Sequence, residues 1–560
     1  MGSIPQANEF DVIVIGAGVS GLCTLHHIRE QFPDWRVKVL DAAPDVGGTW
    51  YWNAYPGCRF DSESLSYAFS FDKELLNEWH WKEAFSAQPD TLRYLKRFAE
   101  KHNLYPYIQS NTIVKSARWD GQKSWTLEDG SGSNYTTTFL VSCMGFLSAS
   151  TLPAIPGLDN FKGTLFHTSR WPKGIDITRD FAGKRVGIIG TGATGIQIIT
   201  ALSKEPSIKS IEVFQRTANW ASPLRNSDIS AEQMAEIIKS GRYDSVFDIC
   251  ARSTSGFMHL PDPRKSSEVS QEERVELWER LYNAPGMGKW LSVFSDTHTD
   301  RTANKLYSDF MANKIRQRVS DPVLAEKLIP KDHSFGTRRV PLESGYYEAY
   351  NKSHVHLTDL KETPIESITA SGIKTSDGAE HALDILICAT GFNAITGAFG
   401  AIDWLGNDGR PLIVNSSDDP KKAARAIWPD HRPETYLGCT IPDMPNLFMV
   451  LGPHQPFGNA TRNVEFVVDF ITDLLGYCKK CNLRRVEPTG EPVEEWNEHV
   501  VECSKPHVLM NEIDSWMTGV NKNVNGKTVR SIARYCGEAK EYRKRCQEVK
   551  ESGYKGFRFT

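Results

Sequence analysis

Two glycine clusters and a few charged side chains carry the chemistry legible in this 560-residue sequence. Gly16, Gly18 and Gly21 stand in G-A-G-V-S-G, and Gly190, Gly192 and Gly195 in G-T-G-A-T-G. Each cluster follows a short apolar run, residues 11–15 and 184–189, and opens a helical pattern (Leu22, Leu25, Ile28; Ile196, Ile199, Leu202). In that order the first glycine permits a tight turn, the second lets a pyrophosphate approach the backbone, and the third lets the helix pack on its strand. The helix N-terminus then offers free N–H groups to phosphate oxygens. The two units part at the end of the next strand. Residues 37–40 end in Asp41, placed to accept hydrogen bonds from an adenosine ribose. Residues 210–214 end in Gln215, Arg216 and Thr217. An acid there would repel a 2′-phosphate and an arginine would hold it. Position therefore favours NADP(H) over NAD(H), and a ligand role over a solvated surface arginine.

Three further stretches bear on these sites. After Gly47-Gly48 come Thr49, Trp50, Tyr51, Trp52, Tyr55, Pro56, Gly57, Cys58 and Asp61. A flavin-linked disulfide reductase would carry a redox cysteine pair here; this chain has tryptophans, and Cys58 stands alone. Wide aromatic surfaces beside a nucleotide site suit the walling of a flavin, and equally a core aromatic cluster. Asp61 follows a turn, where a carboxylate could serve a ribityl chain, a cofactor amide or a nearby cation. Residues 161–172, F-K-G-T-L-F-H-T-S-R-W-P, lie where the chain leaves one nucleotide unit and enters the next. Residues 335–341 bring Arg338 and Arg339 back toward the core.

The elements that must position these residues read as α/β: two Rossmann-like dinucleotide-binding domains, both discontinuous, with a helical insertion. The expected division is residues 1–150 and 385–560 for the first domain, 151–222 and 333–384 for the second, and 223–332 for the insertion. Residues 113–114, 125–127 and 139–141 read as a β-meander. Pro153, Pro156 and Gly157 mark a linker that runs on through residues 161–172. The run 383–392 reads as the return crossing into the first domain, and 446–453 as a further strand and turn. Ser230 with Gln233 and Ser270 with Glu273 are capping boxes in the insertion. The aromatic stripes from Trp79 to Phe98 are assigned to core.

Composition narrows the class. The chain is 40% apolar and 24% charged, with a net charge of −4, which asks for neither a nucleic-acid nor a membrane partner. No run approaches a membrane span, and no basic-then-apolar leader opens the chain, so a cytoplasmic place is expected. Gln6 stands where myristoylation wants Ser or Thr, and the last residues are not a peroxisomal address. The 11 cysteines suit free thiols in a reducing compartment. Cys478 and Cys481 form a C-x-x-C expected on one face near a helix end. With no second pair or nearby histidines they are read as bearing no metal.

The residues quoted resemble the type I Baeyer–Villiger monooxygenases. Their motif F-x-G-x-x-x-H-x-x-x-W, then Pro or Asp, is met by Phe161, Gly163, His167, Trp171 and Pro172. Related N- and S-oxygenases end the motif in another aromatic. The early pattern G-x-W…[FY]-P-[GM]-x-x-x-D is met by Gly48, Trp50, Tyr55, Pro56, Gly57 and Asp61. With both fingerprints the resemblance covers the chain from about residue 10 onward. It implies FAD in the first domain and NADPH in the second. By position it implies FAD contacts from Gly16, Gly18, Ser20, Gly21, Asp41, Thr49, Trp50, Tyr51, Trp52, Asp61, Tyr67 and Val114. It likewise implies NADP contacts from Thr191, Gly192, Thr194, Gly195, Gln197, Arg216, Thr217 and Arg338, and a cofactor contact from Trp516. Arg338 replaces a residue that is often Lys in the family, and Met144 a frequent Thr. Arg339 matches the family's active-site arginine, with Asp61 to orient it.

The implied reaction is oxygenation of a ketone to an ester or lactone through an FAD peroxide, with NADPH and O2 as co-substrates. A peroxide anion needs a cation that keeps its proton, which suits arginine. His167 and Trp171 are expected to shape the region between domains rather than to transfer protons. The competing readings are an N- or S-oxygenating flavin monooxygenase, a disulfide reductase and a nucleotide-binding protein without turnover. A monomer or small homo-oligomer is expected, with the pocket shaped by the insertion and by the loops around Gln455, Phe457 and Trp516.

Overall fold

The computed structural model describes residues 8–560; Gln6 lies outside the described residues. The first sheet grows from strand Glu9–Ile15, in which Val12, Ile13 and Val14 are fully buried. Burial on both faces is what a central parallel strand requires. It pairs in parallel with Val37–Leu40 on one side and Asn134–Ser142 on the other. The antiparallel meander Val114–Trp119, Trp125–Asp129 and Asn134–Ser142 extends this sheet. Two distant segments complete it: Asp403–Leu405 pairs with Val114–Trp119, and Leu447–Met449 with Asn134–Ser142.

The second sheet is wholly parallel. Its spatial order is Val355–Asp359, Ser210–Gln215, Arg185–Ile189, Ile385–Cys388, Thr164–His167. Two sequence expectations change here. Ile385–Cys388 lies inside this sheet, between Arg185–Ile189 and Thr164–His167, so the boundary placed at residue 385 falls too early, and the chain returns to the first sheet only after that strand. A continuous apolar run announces a doubly covered strand but not which sheet it joins. Residues 161–172 are also more than a linker, because Thr164–His167 is the edge strand of the second sheet.

The segment inserted between two strands of the second sheet, Ser210–Gln215 and Val355–Asp359, is helical, with its main helices at Ala231–Lys239, Arg242–Arg252, Gln271–Asn283, Arg301–Arg318 and Pro322–Leu328. Both expected capping boxes form, at Ser230 and Ser270. The insertion is pinned to the core by buried charge. Lys289 donates to the carbonyls of Pro223 (2.5 Å) and Ala284 (2.6 Å), and its burial pushes its ammonium down to about 7. Arg318 meets the buried Glu343 at 2.7 Å. Trp81, Phe85, Tyr94 and Phe98 are core, as read from their spacing.

Cys478 is buried at the end of helix Ala460–Lys480, whereas Cys481 is exposed at its cap, so the two thiols do not share one environment. Among the described residues no helix is long and apolar enough to cross a membrane. No group of three or more His, Cys, Asp or Glu side chains among them is arranged to hold a metal ion.

Candidate active site

The first fingerprint closes tightly. A Cβ on Gly21 would run into the carbonyl oxygen of Gly16, so helix Val19–Gln31 can meet its strand only through a glycine. Asp41 is buried, and its two oxygens accept the backbone N–H groups of Ala17 and Ala43. Burial raises its carboxyl above the ordinary value, against the pull of those two hydrogen bonds. The acid at the strand end therefore ties down the glycine turn itself, and each oxygen keeps a further lone pair for a ribose hydroxyl. Ser20 is buried in the first turn of the helix and Val114 in the core at the start of its strand.

The aromatic stretch packs beside this turn. Thr49–Trp52 is one short helix that leaves Thr49 exposed, Trp52 half-buried, and Trp50 and Tyr51 buried. Trp50 Nε1 donates to Tyr67 Oη at 2.8 Å, and Tyr67 stacks on Phe60 at 4.5 Å. Cys58 is buried and burial pushes its thiol up to about 12, which removes it as a nucleophile.

The second unit repeats the geometry. A Cβ on Gly195 would strike the Gly190 carbonyl, whereas one on Gly192 would meet nothing within 4 Å. Thr191 Oγ1 donates to the Thr217 carbonyl at 2.8 Å, tying fingerprint turn to strand end. Arg216 is exposed and opens on a cavity of about 510 Å³ of mixed charge, lined also by Lys327, Lys331 and Lys361 and by Glu326, Asp359 and Glu362. Burial holds the Arg338 guanidinium below its ordinary value. The Arg216 charge adds to that effect, and Asp332 opposes it. Arg338 Nε is buried with no partner, while one Nη donates to the Asp514 carbonyl at 3.3 Å. Gln197 crosses between units: it accepts from Tyr55 Oη at 2.7 Å and donates to the Arg59 carbonyl at 3.0 Å. Thr194 sits in the first turn of helix Ala193–Leu202.

Asp61 and Arg339, 278 residues apart in sequence, meet at 2.7 Å. Asp61 is 4% exposed; its Oδ2 accepts from Arg339 and from the Leu342 N–H, and its Oδ1 is buried without a partner. Arg339 remains about one-third exposed. A carboxylate fixed by a backbone donor thus aims a guanidinium whose remaining N–H groups are free to face a ligand. Three aromatics close a separate surface: Phe146 meets Phe457 at 4.8 Å, and Phe457 meets Trp516 at 5.2 Å.

His167 proves to be a capping residue. Its Nδ1 accepts the Ser169 N–H at 3.1 Å and starts the turn Thr168–Arg170. Burial lowers its imidazole to about 4, so it stays neutral. Trp171 packs against Phe166 at 4.6 Å and Phe181 at 6.1 Å. Both residues shape the chain, as their position between the fingerprints suggested.

These sites fit two dinucleotides. The helices after both fingerprints begin at glycine, with no side-chain cap and no acid in the first turn. Helices beginning at Asp176, Ser230, Asp300 and Asp321 are all capped by their own side chains. Only the fingerprint helices among these leave their leading N–H groups to an anion. The open ledge at Gly192 suits a pyrophosphate, and the two neighbouring cations Arg216 and Arg338 suit a terminal phosphate.

Comparison with known proteins agrees. The flavin-binding monooxygenase-like family matches residues 9–228. The chain is 40% identical to the 2-oxo-Δ3-4,5,5-trimethylcyclopentenylacetyl-CoA monooxygenase of Pseudomonas putida, over 100% of this chain and 99% of that protein. It is 36% identical to a Baeyer–Villiger monooxygenase of Pseudooceanicola batsensis, over 98% and 95% respectively. A crystal structure of OTEMO in complex with FAD and NADP superposes with a TM-score of 0.90 at 40% identity, covering 98% of this chain and 99% of that one. On motifs, fold and relatives together, this chain belongs to the type I flavin-dependent Baeyer–Villiger monooxygenases.

Proposed function

We propose that Arg339, aimed by Asp61, is the group that turns this fold to ketone oxygenation. The enzyme uses FAD and NADPH to convert a ketone and O2 into an ester or lactone. FAD supplies the redox and oxygen-activating chemistry, and NADPH supplies the hydride. The chain's own residues supply placement and charge. Gly16, Gly18, Ser20, Gly21 and Asp41 would hold the FAD end, with Thr49, Trp50, Tyr51, Trp52, Tyr67 and Val114 around it. Thr191, Gly192, Thr194, Gly195, Gln197, Arg216, Thr217 and Arg338 would hold NADP, and Trp516 would border the cofactor.

The observation that carries this reading is the Asp61–Arg339 contact at 2.7 Å, made between the aromatic motif and the chain's return from the insertion. Arginine keeps its proton at any working pH, so it can face negative charge on the oxidising oxygen without quenching it. The Leu342 N–H and Arg339 share one Asp61 oxygen, which leaves the other to hold a cofactor donor. Removing such a donor commonly costs about 3–4 kcal/mol of barrier.

Arg339→Ala should keep its flavin, consume NADPH and release hydrogen peroxide while forming no ester. Ester formation at the parental rate would overturn the role. The disulfide-reductase reading has no support from Cys58, which lacks a partner thiol and is held protonated. All eleven cysteines are unpaired, which suits a cytoplasmic enzyme, here read as a monomer or small homo-oligomer without nucleic-acid or membrane partners.

A further inference from the structure

We propose that Arg170 and Lys173 form a clasp that holds the second nucleotide unit on the aromatic wall of the first, and so act as positioning residues for hydride transfer. The inference rests on the NADPH-to-flavin reading above and deepens it.

The fixed aromatic and histidine positions of the 161–172 stretch turn inward. Phe161, His167 and Trp171 are all at most 9% exposed. A Cβ on Gly163 would press on the Phe161 ring and the Asp384 carbonyl, each at 2.5 Å. The fixed motif positions are thus spent on building the edge strand and its turn. The side chains that the turn presents outward are Arg170 and, just beyond the motif, Lys173, both exposed along the chain.

Each lands on an aromatic residue of the other unit. The Arg170 guanidinium carbon lies 4.1 Å from the Trp52 ring centroid, and its Nη1 donates to the Ser169 carbonyl at 2.8 Å. Lys173 Nζ lies 4.3 Å from the Tyr51 centroid and donates to the Tyr51 hydroxyl. Neither cation makes an ion pair with a carboxylate among the described residues, so the Trp52 ring face and the Tyr51 hydroxyl are the groups they meet. Tyr51 and Trp52 ride on the helix Thr49–Trp52 that starts at Gly48, against which Gly18 packs. The clasp therefore grips one helical turn from the first fingerprint. Tyr55, Gln197 and Arg59 provide a second contact between the same units. Two grips fix a relative orientation where one would leave a pivot, and hydride transfer demands that two bound rings be held in register.

The test uses purified holoenzyme, reduced anaerobically with NADPH in a stopped-flow instrument while flavin absorbance is followed. This half-reaction needs no ketone, so it reads the clasp even if the ketone reading fails. The double variant Arg170→Gln with Lys173→Gln should reduce its flavin about tenfold more slowly, at unchanged flavin content and melting temperature. The pair Arg170→Lys with Lys173→Arg keeps a cation over each ring and should stay within about threefold of the parent. Reduction of the glutamine pair at the parental rate would overturn the clasp. So would equal slowing in the conservative pair, or slowing that comes with lost flavin or a lower melting temperature.

Discussion

The two nucleotide units share a fingerprint and differ in what their strand-end residue does. Asp41 turns inward and ties the backbone of its own glycine loop through Ala17 and Ala43. Arg216 turns outward to line a cavity of about 510 Å³. One unit has made its strand-end charge part of the turn; the other has left it facing an open cavity. The same topology thus yields a rigid seat on one side and an open, outward-facing grip on the other, which we propose serve a tightly held flavin and an exchanging nicotinamide nucleotide.

The largest effect that probes this comparison is steric, and it should be shared. Gly21→Val and Gly195→Val each drive a side chain into a carbonyl oxygen of the preceding turn. Each should cost about 3 kcal/mol or more and yield little soluble protein. Gly192→Ala, facing open space, should keep the parental melting temperature while weakening NADP⁺ binding roughly tenfold by calorimetry. If Gly192→Ala unfolds like Gly195→Val, the contrast between ledge and packing contact is wrong.

Acid should strain both units. Burial lowers His167, at the edge of the second sheet, and His454, beside the first, each to about 4. A histidine with a depressed folded-state value is neutral in both states above about 6.5, so no stability is lost there. As pH falls below that value the unfolded chain takes the proton first, and stability drops until about pH 4. Each group should contribute about 3 kcal/mol to the loss. Urea titrations at pH 7 and pH 4.5 check the slope. His167→Asn keeps a capping acceptor for Ser169 and should flatten the slope; an unchanged slope would remove His167 from the account.

Asp41→Ala should cost about 2 kcal/mol, because two backbone N–H groups lose their acceptor, and flavin retention on a column should fall with it. The smallest effect belongs to the exposed cation. Arg216→Ala should lower the NADPH-to-NADH ratio of kcat/KM about tenfold and leave stability and flavin content alone. If the two substitutions trade effects, the seat-and-grip distinction fails.

Much of this was legible in the residues. Glycines at fixed spacing after apolar runs mark both fingerprints because only glycine tolerates the contacts at Gly21 and Gly195. The capping boxes at Ser230 and Ser270 are local and equally readable. The placement of Ile385–Cys388 was not, since apolarity is blind to which sheet a buried strand enters. The Asp61–Arg339 meeting was suggested only by motif resemblance, because no local pattern links residues so far apart. Arg170 and Lys173 carried no signal at all: a cation on a surface turn looks the same whether or not an aromatic ring waits opposite.

The reaction itself is tested most directly with labelled oxygen. The parent enzyme and Arg339→Ala would each be given NADPH, a cyclic ketone and ¹⁸O₂, and the products examined by mass spectrometry. The parent should form lactone carrying one heavy oxygen atom for each NADPH consumed. Arg339→Ala should consume NADPH and release labelled hydrogen peroxide with no lactone. Lactone without label, or label only in peroxide from the parent, would contradict the assignment.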